Sequence, residues 1–241
     1  MKYLSKSGLC IACFFLTNII IISCKKDDVD PERKTTVIFN TTKTYGTMTD
    51  QDGNVYKTIT IGTQTWMAEN LRTTKYNDGS LITNVSDNTA WASMLTGAYC
   101  NYQDTTNIDY IATNGRLYNW YAINKIAPKG WHVPSLDEFK TLINYLGGES
   151  EAGGLLKETG FTHWNSSNIG ATNESGFTGL PSGYRGSMGY VFQGEGHVTG
   201  FWTTYNDTEY SYAITLIYSS KSALTYVFGK YFGMSVRLIK D

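Results

Sequence analysis

The sequence predicts a single α+β domain with a twisted antiparallel sheet, two helices and long irregular loops. A hairpin signal comes first, at Asp52-Gly53. Two helical segments follow between residues 135 and 158, and four strand-like segments close the chain after residue 200. Separate runs of helices and strands are typical of α+β domains. Short connections between the last strands predict that they pair antiparallel.

The first element is a β-hairpin around Asp52-Gly53. An Asp-Gly pair suits the positive φ angles of a tight turn, and β-branched residues such as Val55 follow it. The stretch DQDGN from Asp50 also imitates the start of a calcium-binding EF-hand loop. However, Val55 stands where that loop requires glycine, and Ile61 stands where it requires glutamate. The hairpin is therefore the favoured interpretation.

The best-defined helix is predicted to begin after Ser135. Ser135 and Glu138 have the spacing of a capping box, in which each side chain binds the other residue's free backbone N–H. Apolar residues then recur on one helical face, and Gly147 suits the end of the helix. These apolar residues are Leu136, Phe139, Leu142, Ile143 and Leu146. The pattern indicates an amphipathic helix that packs on a core.

The segments on either side of the helix that begins after Ser135 have less regular patterns. A shorter helix is expected from Glu151 to Glu158, although Gly153 and Gly154 weaken it. Residues 74–114 are predicted to be mostly loop with short elements. The final strands are expected at FWTTY (201–205), YSYAITLIYSS (210–220), ALTYVFG (223–229) and MSVRLIKD (234–241).

The N-terminus has the pattern of an exported lipoprotein. Lys2 and Lys6 precede an apolar run that ends at residue 22, a length that suits a signal peptide better than a bilayer span. The four residues 21–24, Ile-Ile-Ser-Cys, resemble a bacterial lipobox. We expect residues 1–23 to be a lipoprotein signal peptide and Cys24 to be acylated, which would make membrane lipid its first partner. An uncleaved anchor with an incidental cysteine is the alternative.

The residues after Cys24 predict a location. Residues 24–46 are polar and rich in threonine, as expected of a flexible tether before a domain at 47–241. The stretch KKDD at 25–28 resembles the signal that sends lipoproteins of the Bacteroidetes group to the outer face of the outer membrane. The sequence therefore predicts a lipid-anchored protein of the cell envelope, exposed on the surface of the outer membrane.

Composition excludes several functional classes. Removing residues 1–23 takes Lys2 and Lys6 from 20 basic residues and none of the 21 acidic ones, which leaves a net charge of −3. This mild acidity is unlike the basic surfaces that bind nucleic acid. Beyond Cys24, the predicted mature chain has only Cys100, so it can form no internal disulfide and no metal site of several cysteines.

Seven segments together carry a family resemblance. In chain order they are DGNVYKTITIGTQTWMAENLRTTKYNDG, GRLYNWYA, APKGWHVPSLDEFKTLINYLGG, GLLKETG, GFTGLPSGYR, FWTTY and SVRLIKD. They resemble the Fibrobacter succinogenes major paralogous domain over about residues 50–241. The family comprises secreted or lipid-anchored bacterial proteins without an established common activity. Its layout is similar to the C-type-lectin-like and formylglycine-generating-enzyme folds, which implies a C-type-lectin-like fold for this chain.

The resemblance does not carry an activity with it. Formylglycine-generating enzymes bind copper with a cysteine pair, whereas Cys100 is alone here. Calcium-dependent lectins use proline-containing loop motifs that are not found at this chain's prolines. His132, His163 and His197 form no zinc-binding pattern, and Ser182 and Ser187 lie outside any Gly-x-Ser-x-Gly motif. We therefore predict a protein that is not an enzyme and that uses no metal or cofactor.

A binding function is the favoured hypothesis. Aromatic and polar residues gather in the Gly- and Asn-rich stretch 160–206, and such loops often carry binding groups. Tyr184, Arg185, Tyr190 and Glu195 are the predicted ligand residues. Trp120 and Trp131 are expected to pack in the core. A glycan or another extracellular macromolecule is the expected ligand. The alternatives are a structural component of a cell-surface assembly, with a surface protein as partner, and a hydrolase whose catalytic residues no motif in the sequence reveals.

Overall fold

A computed structural model describes residues 36–186 and 191–241. Its strands are β1 Gly46–Thr49, β2 Val55–Ile61, β3 Gln64–Met67, β4 Thr83–Asn84, β5 Ala98–Cys100, β6 Leu117–Tyr118, β7 Trp131–His132, β8 Ser182–Arg185, β9 Phe192–Glu195, β10 Val198–Asn206, β11 Tyr210–Ile217, β12 Ala223–Gly229 and β13 Ile239–Lys240. Its helices are α1 Asn88–Ser93, α2 Ile108–Asn114, α3 Leu136–Tyr145 and α4 Glu149–Leu156, with 3-10 helices at Tyr102–Asp104 and Trp120–Lys125.

The strands form three sheets. The first has the order β1-β2-β3-β13-β7, the second β12-β11-β10-β8-β9, and the third β4-β5-β6. Neighbouring strands are antiparallel except for the pairs β8–β10 and β4–β5, which are parallel. The predicted α+β class is confirmed. The prediction of one sheet is wrong, because β10, β11 and β12 belong to a separate sheet, whereas the N-terminal hairpin pairs with β3, which in turn pairs with the last strand.

Two helices were missed, so the prediction of two helices is wrong as well. Asp87 caps α1 by accepting a hydrogen bond from the backbone N–H of Ala90. Asn107 caps α2 in the same way, by accepting from the N–H groups of Asp109 and Tyr110. Both helices have only two turns or fewer, so their apolar periodicity is too short to stand out from loop sequence. The capping residues were the available signal.

The predicted hairpin is confirmed, and Asp50 is the residue that shapes its turn. β1 pairs antiparallel with β2, and Gly53 has the positive φ of 83° that the turn requires. One carboxylate oxygen of Asp50 accepts from the N–H groups of Asp52 and Asn54, and the other accepts from Tyr56 Oη. The acidic stretch therefore serves as an internal scaffold for the turn.

Both predicted helices are present in the 135–158 segment. The capping box of α3 forms as expected, with Ser135 and Glu138 each binding the other's backbone N–H. In α4, a Cβ atom on Gly153 would lie 2.1 Å from the carbonyl oxygen of Ser222, and one on Gly154 would lie 2.3 Å from that of Gly170. The glycines that weakened the prediction are needed because the backbone passes too close for any side chain.

The C-terminal segment links the sheets. Only Ile239–Lys240 of the predicted strand 234–241 is regular strand, so most of that prediction is wrong. The residues before Ile239 form backbone hydrogen bonds with a different segment at each position, because this part of the chain crosses from one sheet to the other. The carbonyl of Ser235 accepts from Trp202 N, that of Val236 from Leu71 N, and that of Leu238 from Met67 N.

Two large apolar cores lie on opposite sides of the region where the C-terminal segment joins the first two sheets. Successive side chains of a strand point to opposite faces. In β3, Trp66 therefore enters one core and Met67 the other. In β10, Phe201 and Trp202 divide in the same way. These strands are thus covered on both faces, which explains why they carry large apolar residues at consecutive positions.

A buried arginine lies between these layers. Arg237 is fully buried, and its guanidinium donates four hydrogen bonds. Nε donates to Asn70 Oδ1 over 2.7 Å, and the terminal nitrogens donate to the carbonyl oxygens of Met67, Phe177 and Thr178 over 2.8–3.0 Å. These acceptors belong to the end of β3 and to a loop more than 100 residues later. One side chain therefore joins three distant segments.

The charge of Arg237 is supported by more than hydrogen bonds. Its guanidinium carbon lies 4.7 Å from the centre of the Phe177 ring and 5.5 Å from that of Phe201, within the range of cation–π attraction. Burial lowers the pKa of Arg237 to about 9, while nearby Glu69 opposes this shift. The side chain therefore stays protonated at neutral pH.

Replacing Arg237 tests whether its side chain stabilises the fold by joining three distant segments. Arg237→Met keeps an apolar stem but leaves buried oxygens without donors, so the free energy of unfolding should fall by about 3 kcal/mol or more. Urea denaturation of the full chain measures it. Lys140→Met is the matched control, because Lys140 is exposed on α3, and it should change stability by less than about 0.5 kcal/mol. Equal denaturation midpoints for the two variants would contradict this role.

Candidate functional site

A surface cleft lies beside α2. It has a volume of about 480 Å³ and lies between α2, the loop that follows α4, and the turn that joins β9 to β10. We call it the α2 cleft. Its lining includes Thr36, Asp109, Tyr110, His163, Asn165 and Glu195. All six side chains carry hydrogen-bonding groups, so the surface of the cleft is suited to a polar ligand.

Tyr110 and Glu195 form one wall. Asn107 caps α2, which fixes the direction in which Tyr110 leaves the helix. Tyr110 Oη donates to Glu195 Oε1 over 2.6 Å, and this bond ties α2 to the end of β9. Burial and the adjacent carboxylate both raise the pKa of Tyr110, so its hydroxyl stays protonated and donates. Glu195 retains a second carboxylate oxygen on an exposed residue.

Thr36 and His163 form another wall, and the buried carboxylate of Glu158 binds His163. Glu158 is fully buried, and its Oε2 lies 2.6 Å from His163 Nδ1. His163 Nε2 lies 3.0 Å from the hydroxyl of Thr36, and the second oxygen of Glu158 accepts from Ile38 N over 2.6 Å. The order hydroxyl, imidazole, carboxylate also occurs in hydrolytic triads. Here both His163 and Glu158 bind the 36–38 segment, which favours an anchoring role.

These contacts place the start of the described chain on the domain. Residues 24–35 of the predicted tether lie outside the described residues. From Thr36 onward the chain lies against the domain, and Val37 is buried. Phe39 packs against Tyr45, and Lys57 Nζ lies 4.0 Å from the centre of the Phe39 ring. The described part of the chain therefore begins at the rim of the α2 cleft, which Thr36 lines.

A further contact closes the floor of the cleft. The backbone N–H of Asn165 donates to the carbonyl of Gly196 over 2.8 Å, and its side-chain amide lies 2.9 Å from His197 Nε2. Gly196 has a positive φ of 77°, which lets the chain reverse between β9 and β10. The loop and the turn are thus held together independently of any ligand.

The charge of the cleft is negative. Asp109 and Glu195 both line it, and its lining contains no lysine or arginine. Within the described part of the chain, the Asp109 carboxylate has no hydrogen-bond or ion-pair partner. An anionic ligand would meet like charge here, whereas a neutral ligand could use the carboxylates as acceptors. The arrangement therefore favours neutral or cationic ligands with many hydroxyl or amide groups.

The three predicted ligand residues that the structure describes do not converge on one site. Glu195 lines the cleft. Tyr184 is half-buried, donates from Oη to Gln193 Oε1 over 2.8 Å, and packs its ring near Phe232. Tyr190 lies outside the described residues. The structure thus places one of the four in the cleft.

Arg185 is buried rather than presented to solvent. Its terminal nitrogens donate to the carbonyl oxygens of Val85 and Ser86 over 2.6 and 2.8 Å, and to Asn88 Oδ1 over 2.8 Å. Its guanidinium carbon also lies 4.5 Å from the centre of the Trp91 ring. A side chain enclosed in this way has no free face for a solute, so we leave Arg185 out of the candidate site. Sequence alone gave no means of foreseeing partners about 100 positions away.

Other candidate residues have separate structural partners. His132 lies between Asp241 and Glu138, at 2.7 and 2.8 Å. Partial burial opposes its charge, but the hydrogen bonds to both carboxylates outweigh this effect and raise the pKa of His132. Ser182 is buried and donates to the carbonyl of Asn114 over 3.1 Å. The three histidines therefore lie in different environments.

Cys100 is a buried, free cysteine. Burial raises the pKa of the Cys100 thiol to about 12, so it is protonated and unreactive at neutral pH.

Across residues 36–186 and 191–241, no three His, Cys, Asp or Glu side chains are grouped so that they could hold a metal ion. Within the same ranges no helix has the length and apolarity needed to span a membrane.

The fold and the cleft together define an α+β domain with a polar, acidic surface cleft. A comparison with family models identifies the domain more closely. The model described as the Fibrobacter succinogenes major domain matches residues 59–240, more than half of the chain, so the chain belongs to this family. The suspected family is thereby confirmed. No curated protein and no solved structure matched the chain.

The anchoring role of Glu158 can be tested by amide hydrogen exchange. Glu158→Gln has only one side-chain oxygen, so it cannot accept from both Ile38 N and His163. Exchange of the Ile38 amide should accelerate about tenfold, because a charge-assisted hydrogen bond is lost. Glu151→Gln is the control, since Glu151 is half-exposed on α4 and pairs with Lys221. If Ile38 is equally protected in both variants, the anchor does not exist.

Proposed function

We propose that this protein is a surface-anchored lipoprotein whose domain binds a glycan or a similar extracellular ligand without transforming it. The observation that carries the proposal is the composition of the α2 cleft. Carboxylates, amides, hydroxyls and an imidazole surround one cavity of about 480 Å³. Sugar hydroxyls both donate and accept hydrogen bonds, so a wall of mixed donors and acceptors complements them.

The charge of the cleft narrows the proposed ligand. Asp109 and Glu195 would accept hydrogen bonds from hydroxyl groups, while the negative charge disfavours sulfated, phosphorylated or uronic acid sugars. The walls are joined by internal hydrogen bonds, so little ordering of the protein would accompany binding. A neutral glycan is therefore the ligand that the arrangement supports best.

The anchor and the cleft would act together. Cys24 lies 12 residues before Thr36, and a fully extended chain of that length reaches about 40 Å. Because Thr36 lines the cleft, acylation at Cys24 would hold the cleft within that distance of the lipid. This geometry suits a ligand near the outer surface of a membrane. The C-type-lectin-like character of the fold is part of the same proposal and is supported by the family resemblance.

An assembly role is the second candidate, and one surface favours it. The rings of Tyr205 and Tyr212 meet at 4.9 Å, and Tyr212 is the cross-strand partner of Val227. Tyr205 and Val227 are 54% and 52% exposed. Adjacent exposed apolar side chains can serve as a contact for another protein. This surface lies on β10, β11 and β12.

Glycan binding is tested with the full chain, purified in a non-glycosidic detergent, on an array of neutral and acidic glycans. Neutral glycans should bind, and Glu195→Gln and Asp109→Asn should each weaken binding about tenfold by removing a charged acceptor. Glu209→Gln is the matched control, because it removes one charge from an exposed turn. If no glycan binds, the assembly role is favoured instead. Binding of acidic glycans alone would contradict the proposal that the negative charge of the cleft disfavours anionic ligands.

Lipidation is tested by metabolic labelling with an alkyne-bearing fatty acid. Cys24→Ser should abolish the label and release the chain from the membrane fraction, since the acylated thiol would be gone. Cys10→Ser is the control, because Cys10 lies in the predicted signal peptide and should not carry the lipid. Retention of the label in Cys24→Ser would show that the anchor lies elsewhere.

A further inference from the structure

One tryptophan differs from the other five. Each of these five is buried, and each indole N–H donates a hydrogen bond. The five donors and their acceptors are Trp66 to Gln64, Trp91 to Tyr231, Trp120 to Thr203, Trp164 to Gly179 and Trp202 to Tyr118. Trp131 is only partly buried, and its indole nitrogen has no hydrogen-bond partner among the described residues. Trp120 therefore lies in the core as expected, whereas Trp131 packs against the core and keeps part of its ring exposed.

Trp131 lines a cavity of its own. The cavity has a volume of about 320 Å³ and lies between β7, the start of α3 and the 3-10 helix at Trp120–Lys125. It shares no lining residue with the α2 cleft. Trp131 packs against one apolar core and also contributes to the cavity wall. An aromatic ring in this position offers a flat apolar surface to a solute.

Polar groups surround this ring. Asn77 and Asn124 line the cavity as exposed residues, and their side-chain amides have no hydrogen-bond partner within the described ranges. Glu138 and His132 line it too, and both are fixed in place. Glu138 is held by Ser135 in the capping box, and His132 is held between Glu138 and Asp241. The cavity thus combines one aromatic surface with donors and acceptors in set positions.

We propose that this cavity is a second binding site, which takes one neutral sugar ring stacked on Trp131. The C–H groups on one face of a pyranose are apolar and match the indole, while its hydroxyls match Asn77, Asn124 and Glu138. Two carboxylates and one imidazole leave the local charge negative, which disfavours an anionic ligand. The volume suits a single ring rather than a chain, so this site would hold a terminal sugar.

Fluorescence quenching by acrylamide tests the site directly, because Trp131 is the partly exposed tryptophan among the six. The full chain in a non-glycosidic detergent is titrated with N-acetylglucosamine and the methyl glycosides of glucose, galactose and mannose. At least one sugar should reduce the quenching constant saturably. Trp131→Leu should then weaken binding of that sugar about tenfold in calorimetry.

Matched variants separate this site from the α2 cleft. Tyr226→Leu removes another partly exposed aromatic side chain that lines neither the α2 cleft nor this cavity, so it should bind the monosaccharide normally. Asn124→Ala should weaken binding without disturbing the packing of Trp131. Unchanged quenching with all four sugars, or normal binding by a folded Trp131→Leu, would overturn the proposal. Loss of binding in Glu195→Gln alone would assign the sugar to the cleft, which would overturn this site while supporting the proposed function.

Discussion

The burial of Arg237 is the interaction on which the rest of the structure depends. Its guanidinium supplies hydrogen bonds to the end of β3 and to the 177–178 loop, and two phenylalanine rings cover its charge. A buried charge is tolerated only where such partners converge. The position of Arg237 therefore requires the C-terminal segment, the first sheet and this loop to be correctly placed together. Folding of these distant segments is coupled through one side chain.

Two other buried cationic side chains are also stabilised by hydrogen bonds to backbone carbonyl groups. Arg185 donates to carbonyl groups of the 85–86 segment and stacks near Trp91. Lys157 Nζ donates to the carbonyl oxygens of Ile169, Ile217 and Ser220, although burial lowers its pKa to about 8. Long irregular segments leave backbone carbonyls unpaired by strands or helices. Cationic side chains with several donors satisfy these carbonyls, in a domain whose single cysteine, Cys100, allows no internal disulfide.

These links also position the proposed sites. Lys157 precedes Glu158, so the loop that carries His163 begins at a fixed point. The α2 cleft and the Trp131 cavity are both formed where irregular segments meet regular ones. Loops can offer polar side chains to a ligand because their backbone is already held by the scaffold. Two separate sites, one acidic and one aromatic, would allow the domain to hold a glycan at more than one sugar.

By itself, the sequence determined the elements that depend on neighbouring residues. The hairpin turn at Asp52-Gly53, the capping box of α3 and the strands β10 to β12 all follow from short-range rules. Among the predicted ligand residues that the structure describes, Glu195 lines the cleft, whereas Tyr184 and Arg185 do not. The tertiary structure alone decided that Arg185 is buried and that Trp131 faces a cavity. Burial is set by partners far away in the chain, and no local pattern of residues encodes those partners.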